Sequence, residues 1–320
     1  LYITEQDAVI RKRSETILVE ASGKELLEIE LFKVDTICLF GNVEITTPAI
    51  TKLLENDIEL AFFTLNGKLK GQLTPVKSKN VYIRMAQYEI YKNEKARFDL
   101  ALQWVQAKMK SSIHLVKNLA KNEPIEKLSS EIELLEISLS GSQSAENIGS
   151  LLGYEGSAAR AYFSAFQKLL KKDYGFKGRS KHPTTDIVNS TISFGYTLMG
   201  NEIAAFSDGI GFDPYIGSLH ELDYGRQSLA QDILELFRAY GIDRLTVKLF
   251  NLGILNETHF ETGNLFLNRE GKRKYFKEYE EHLNAKNYNG KSIRDIYREE
   301  FYALGNFLTK NTPYQPYLFQ

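Results

Sequence analysis

Cysteine is almost missing from this chain. The single residue, Cys38, lies in the apolar stretch DTICLF. That excludes an internal disulfide, fits a reducing compartment and makes core packing its expected role. Long hydrophobic runs are absent too. IELAFFTL, residues 58–65, falls far short of the ~18–20 apolar residues a membrane helix needs. The N-terminal LYITEQDAVIRKRSE has neither the apolar core nor the cleavage signature of a secretory signal, so the cytoplasm is the expected compartment and no membrane partner is expected. With no CxxC pair and no HExxH, structural zinc and the common zinc hydrolases are excluded. GYEGSAAR and GIGFDP contain glycines but lack the GxxxxGK[ST] spacing of a phosphate-binding loop. A lone cysteine without a matching local signature argues against thiol chemistry. The net charge is only −1, so the chain as a whole exerts no pull on nucleic acid.

What is present is ordinary globular composition, 43% hydrophobic and 25% charged over 320 residues, enough for two domains. The first 80 residues carry short runs rich in β-branched and aromatic residues. TILVEA, ELLEIEL, TICLFG, EITT, IELAFFTL and KLKGQLTP read as strands, with SGKE and NGKL as turns where Gly23 and Gly67 take positive φ. TPAITKLLEND interrupts them with one helix opened by Pro48. From about residue 85 the spacing turns helical. MAQYEIYKNEKARFDLALQWVQAKMKSSIHLVKNLA reads as one long amphipathic stretch with Trp104 on its buried face. AENIGSLLG, GSAARAYFSAFQKLLKK, TDIVNSTISFGYTLMGNEIAAFSD and RDIYREEFYALGNFLT continue the pattern, and VKSKNVY, 76–82, is the linker candidate. The expected fold class is α+β: a small β-rich domain over 1–80, then a larger all-helical domain over 81–320.

Charge is unevenly spread. Residues 160–183 hold seven bases (Arg160, Lys168, Lys171, Lys172, Lys177, Arg179, Lys181) against Asp173 alone, and residues 103–121 hold four lysines and no acid. Each stripe reads equally as a phosphate footprint or as a solvated helix face.

Chemistry concentrates in GSLHELDYGRQSLAQDILELFR, 217–238. His220 precedes a helix whose start is signalled by Ser228 and Gln231 as a capping box. At 100° per residue, Leu229, Ile233, Leu236, Phe237 and Tyr240 share one face, Asp232 sits at its edge and Glu235 one step further out. Two readings stand: a surface pair of Glu235 with Arg238 beside a flanking Asp232, or two acids turned into a cleft. Glu155, between Gly153 and Gly156, is likewise either an anion at a helix start or a ligand approached through the glycines. A histidine with carboxylates suits Mg²⁺ or Mn²⁺ better than a thiolate site. His114, His182, His259 and His282 have no carboxylates close in sequence and read as structural or surface groups.

Taken together, these stretches resemble the CRISPR-associated adaptation integrase family, which inserts new spacers into the repeat array. The resemblance runs nearly end to end. LFGNVEITTPAITKLLENDIELAFFTLNGKLKGQL is similar to the family's N-terminal β-domain, GYEGSAARAYF to its catalytic glutamate motif, HPTTDIVNSTISFGYTLM to its central block, and GFDPYIGSLHELDYGRQSLAQDILELFR to its histidine and second acidic motif. The resemblance implies that Glu155, His220 and Glu235 ligate a metal and that Asp232 supports them as an outer group, proton acceptor or auxiliary ligand. It implies that Asn189, Ser193 and Tyr196 line the site, and that Lys171, Lys172, Lys177, Arg179 and Lys181 hold DNA phosphates. The last acid is Glu here where some members have Asp, and SKHP stands where many have a second proline or an arginine-rich run. The implied activity is metal-dependent cleavage and joining of DNA: 3′-hydroxyl ends of spacer DNA attack phosphodiesters at repeat ends. The other readings are a catalytically silent DNA-binding scaffold and an endonuclease for branched DNA in repair. The implied partners are double-stranded DNA, a second copy of the chain paired through the β-domains, and a small ferredoxin-fold protein bridging two dimers.

Overall fold

The computed structural model describes residues 1–75, 80–122, 127–180 and 184–319. Strands β1 (Tyr2–Ile3), β2 (Ala8–Arg13), β3 (Thr16–Ala21), β4 (Lys24–Glu30), β5 (Thr36–Phe40), β6 (Val43–Ile45), β7 (Glu59–Phe63) and β8 (Leu69–Leu73) form two four-stranded sheets, with helix α1 (Thr47–Glu55) between β6 and β7. One sheet runs β1-β5-β7-β8, parallel except for the β7/β8 hairpin. The other runs β4-β3-β2-β6, antiparallel except for β2/β6. Gly23 and Gly67 take φ of 73° and 83° in the two predicted turns, where a side chain would be strained. Ile10, Ile17, Val19, Ile37, Leu39, Leu53 and Leu60 belong to one buried cluster. Cys38 is half-buried on β5 rather than sealed in this core.

Two strands escape the residue pattern. The segment β1 is two residues long, and β2 ends in the three bases Arg11-Lys12-Arg13. Ion pairs within the sheet explain why it extends: Arg11 meets Glu20 on the adjacent β3 at 3.1 Å, and Arg13 reaches past β3 to Glu28 at 3.0 Å and Glu25 at 2.5 Å on β4.

The remaining helices are α2 (Val81–Lys92), α3 (Glu94–Leu119), α4 (Ser129–Ser142), α5 (Ile148–Leu169), α6 (Ile187–Ile210), α7 (Ser228–Phe237), α8 (Arg244–Asn251), α9 (Arg269–Asn284) and α10 (Ile293–Lys310). The stretch from Met85 onward is two helices, not one: Asn93 leaves helical geometry (ψ 98°) and its side chain caps α3 by accepting from Ala96 N at 3.0 Å. Conversely, AENIGSLLG and GSAARAYFSAFQKLL are a single helix, α5, started by an Asn147–Ser150 capping box. Glu155 therefore lies two turns inside a helix, which removes the helix-start reading of that residue. Trp104 is buried as expected, its indole donating to Tyr314 Oη at 2.8 Å. The linker candidate lies largely outside the described residues, and its last members, Val81 and Tyr82, open α2.

By compactness the chain divides into Leu1–Lys79 with Asp208–Gly211, and Asn80–Ser207 with Phe212–Gln320. The architecture is α+β, a small β-rich region followed by a larger helical one, as the residue pattern predicts. Among the described residues no helix is long and apolar enough to cross a membrane.

Candidate active site

Three helices bring the acids together. Asp232 and Glu235 are one turn apart on α7, whose apolar residues pack inward so tightly that both acids are buried, at 0% and 6% exposure. Glu235 is thus no surface residue. The predicted capping box at Ser228 does not form: its hydroxyl donates instead to Glu221 O at 3.0 Å, closing the loop between His220 and the helix.

Asp232 is consumed by that loop. One carboxylate oxygen accepts from Ser218 N (2.6 Å) and Leu219 N (2.9 Å), the other from His220 N (3.0 Å). The second oxygen also lies 2.6 Å from His220 Nδ1. A carboxylate at that distance accepts from Nδ1, which leaves Nε2 as the ring nitrogen open to a ligand.

Glu155 on α5 and Glu235 on α7 meet at Lys108 on α3. The Lys108 ammonium donates to Glu155 Oε1 and lies 2.7 Å from Glu235 Oε2. Arg238 holds the other Glu235 oxygen at 2.9 Å. Burial pushes the Glu235 carboxyl up, but Arg238, Lys108 and His220 outweigh it and hold it down at about 2. Burial pushes Lys108 down, and Glu235 with Glu155 more than reverse it, so the ammonium stays charged.

Behind these groups the helix widens. Residues Arg238–Asp243 form a π-helical turn between α7 and α8, a local insertion often found at functional sites. Arg238 stands over the Tyr196 ring at 4.6 Å and Arg179 over the same ring at 5.5 Å. The Tyr196 hydroxyl donates to Asp243 Oδ1 at 2.7 Å, and Tyr162 donates to Oδ2 at 2.8 Å. Burial raises Asp243 to about 6, although both tyrosines, Arg179 and Arg238 pull the other way. Lys108, Glu155, Tyr162, Tyr196, Glu235, Arg238 and Asp243 line one pocket, along with the apolar side chains of Met109, Leu135 and Phe163.

The other expected residues separate into two groups. Arg179 turns inward: it donates to the Ser180 carbonyl, to Asn189 Oδ1 at 3.0 Å and to Ser193 Oγ at 2.9 Å. Asn189 is fully buried and also donates to Gly178 O and to Asp186 Oδ2 at 2.8 and 2.7 Å, so it fixes the loop that carries Arg179. Lys171, Lys172 and Lys177 are exposed in the irregular segment after α5. Lys181 and His182 lie outside the described residues. His114, His259 and His282 each have a local partner: the Phe319 carbonyl, the Asn256 N–H and the Tyr240 carbonyl respectively.

The sequence does not single out Lys108, Tyr162 or Asp243, and it offers Arg238 only as a surface partner of Glu235. Tyr162 follows Glu155 by seven residues, two turns along the same helix face, a signal that spacing alone can raise. Lys108 reads as one more member of a basic stripe, and the π-turn shifts Asp243 off any regular helical count.

The donor set that the resemblance implies, two carboxylates and an imidazole nitrogen, suits a hard or borderline divalent ion. Glu235 Oε2 is buried and lies against the Lys108 ammonium at 2.7 Å. A buried carboxylate oxygen so placed fits a cation. Among the described residues no group of three or more histidine, cysteine, aspartate or glutamate side chains is drawn together at metal-holding distance. The position between the two glutamates is taken by Lys108.

Solved structures share this fold. A Cas1 protein from Thermotoga maritima superposes with a TM-score of 0.83 at 26% identity, over 100% of this chain and 98% of that one. A casposase bound to integration product gives 0.86 at 23% identity, over 99% and 92%. In sequence, CRISPR-associated endonuclease Cas1 3 of Thermus thermophilus is 31% identical over 319 residues, covering 97% of this chain and 93% of the relative. CRISPR-associated endonuclease Cas1 1 of Chlorobaculum tepidum is 31% identical over 292 residues, covering 88% and 85%. The family model for CRISPR associated protein Cas1 matches residues 1–281. The chain belongs to the CRISPR-associated Cas1 family.

Proposed function

We propose that this chain is a CRISPR adaptation integrase, a metal-dependent DNA endonuclease and transesterase that joins 3′-hydroxyl ends of spacer DNA to repeat ends. The supporting observation is the convergence of Glu155 and Glu235, from two helices, on one cation position. Family membership and the endonuclease names of the relatives give this geometry its chemical direction. A bound Mg²⁺ or Mn²⁺ would stabilise charge on the phosphodiester oxygens and lower the pKa of the attacking hydroxyl.

The chain's own residues set up that chemistry. Glu155 and Glu235 would hold the ion through carboxylate oxygens and His220 through Nε2. Asp232 keeps the His220 ring and its loop in place, so Nε2 is the nitrogen available to the ion. Arg238 keeps Glu235 ionised inside the protein. The 3′-oxygen attacks phosphorus, a new P–O bond forms, the bond to the neighbouring nucleotide's 3′-oxygen breaks, and the proton lost by the attacking hydroxyl balances the one the leaving oxygen takes up. Water in place of the hydroxyl gives cleavage at the same site.

Lys171, Lys172 and Lys177, exposed after α5, are the proposed phosphate contacts. Arg179 is assigned a different task, bracing Tyr196 and the α6 block. Structural neighbours include a Cas6-RT-Cas1–Cas2 complex, which supports a partner of the Cas2 kind; the proposed partner is a small ferredoxin-fold protein bridging two dimers. The residues up to 80 are proposed as the dimerisation domain and those from 81 as the catalytic domain.

A strand-transfer assay with labelled duplex and a repeat-bearing plasmid tests the assignment. The wild type yields joined product with Mn²⁺ or Mg²⁺ and none with EDTA, and Glu155→Ala reduces joining by at least about a hundredfold, the scale of removing one group that stabilises transition-state charge. Unaltered joining by Glu155→Ala overturns the site. Cleavage of branched DNA without any joining would favour the repair reading instead.

A further inference from the structure

Lys108 is placed differently from the other cations of the cleft. Arg238 binds Glu235 from the side, through Oε1, and stacks on Tyr196. Lys108 instead stands between the two glutamates and contacts the oxygens Oε1 of Glu155 and Oε2 of Glu235 that face each other across the pocket. Its four-carbon stem comes from the middle of α3, and its side chain is 18% exposed, so the ammonium is held by the protein wall rather than supplied from solvent. The contact to Glu235 Oε2 at 2.7 Å is an ion pair, so a more compact divalent ion can take over the charge that the ammonium supplies. Oxygen–magnesium distances are about 2.0–2.1 Å. An ion bound to both of these oxygens would overlap the ammonium, and two cations cannot share the position.

We propose that Lys108 is a tethered counterion that fills the metal position between Glu155 and Glu235, and that a divalent cation enters by displacing it. This inference rests on the reading of the two glutamates as metal ligands. Without the lysine, two buried carboxylates would face each other in the metal-free protein, a costly arrangement in a poorly hydrated cleft. With it, the helices α3, α5 and α7 stay assembled before the ion arrives, at the expense of metal affinity. Binding is then an exchange of one cation for another, and its apparent strength is set by the competition.

Removing the tether tests this. Mn²⁺ binding to the full chain is measured by titration calorimetry for wild type, Lys108→Met, Glu155→Gln and Glu235→Gln, with melting curves in EDTA and in Mn²⁺. The expected result is a Kd at least tenfold lower for Lys108→Met than for wild type, together with a lower melting temperature in EDTA and a larger rise on adding Mn²⁺. A Lys108→Met protein that binds Mn²⁺ no more tightly than wild type, while Glu155→Gln abolishes binding, overturns the inference and leaves the metal-site reading standing. Glu155→Gln and Glu235→Gln proteins that bind Mn²⁺ like wild type overturn that reading itself, and the inference with it.

Should Lys108→Met fail to fold, the wild type supplies the answer through lysine acetylation followed by peptide mass spectrometry. The Lys108 amine is expected to react several-fold faster with Mn²⁺ than with EDTA, as it leaves its carboxylates. An equal or slower reaction overturns the inference.

Discussion

Asp232 illustrates how a residue beside the proposed metal site can matter without being a ligand. Both its oxygens are occupied by three backbone N–H groups and the His220 ring. Truncating it would orphan all four donors in a buried place, so Asp232→Ala is expected to destabilise the protein by about 3 kcal/mol, the scale of losing charged hydrogen bonds at a buried position. Asp232→Asn should cost less, and both should lose DNA joining; urea denaturation beside the joining assay measures this. Asp243 makes a pH prediction. Its folded pKa is raised to about 6 from an ordinary 3.8, so between those values the folded state binds more protons than the unfolded one. Its contribution is therefore fully present at low pH and is lost as pH rises from about 4 to about 6. The melting temperature of Asp243→Asn, relative to wild type, should climb across that window; a constant difference would contradict the assignment. Much of this is legible in the sequence at the level of single residues. His220, Asp232, Glu235 and Glu155 stand out because acids and a histidine sit in short stretches of family-like spacing. Lys108 and Asp243 do not, because what sets them apart is which helix faces them, and that is a property of packing.

Helix α7 and its entry loop are packed closely against each other. Gly217 sits where a Cβ would lie 2.6 Å from Asp232 Oδ2 and 2.8 Å from the Ser228 carbonyl carbon. Gly217→Ala must therefore push the loop off α7 and is expected to lower joining at least tenfold, although no donor or ligand is removed. Wild-type joining with native stability would show the loop to be loosely held. The two glycines beside Glu155 behave otherwise. A Cβ at Gly153 meets nothing within 4 Å and one at Gly156 only the tip of Arg160 at 3.9 Å, so packing demands neither. Residue patterns locate most elements, but they break α5 in two at these glycines and miss β2 because of its three basic residues. In both cases local propensity is overridden, by a continuous buried face in α5 and by ion pairs to β3 and β4 in β2.

At the scale of the molecule, the last residues help hold the candidate site. Phe319 is fully buried, stacks on Tyr240 at 4.8 Å and meets Phe237 edge-on at 5.7 Å, at the end of α7 and within the π-turn that carries Arg238 and Asp243. Phe319→Ala should cost about 3–5 kcal/mol, the range for emptying a buried aromatic position, and should reduce joining as the turn loosens; denaturant titration and the joining assay read the two effects. Charge is arranged at the same scale. A chain of net charge −1 gives no general attraction for DNA, so binding should depend on the exposed lysines after α5. Neutralising Lys171, Lys172 and Lys177 together should weaken DNA binding and lower the slope of log K against log salt by about 2–3, roughly one for each phosphate that the protein no longer neutralises. The central claim is that one divalent ion sits among Glu155, Glu235 and His220. Anomalous diffraction from crystals soaked in Mn²⁺ tests it most directly. A peak is predicted at about 2.2 Å from oxygens of both glutamates, in the range of hard-cation distances, and within reach of His220 Nε2. A peak elsewhere, with none between the glutamates, would contradict the account.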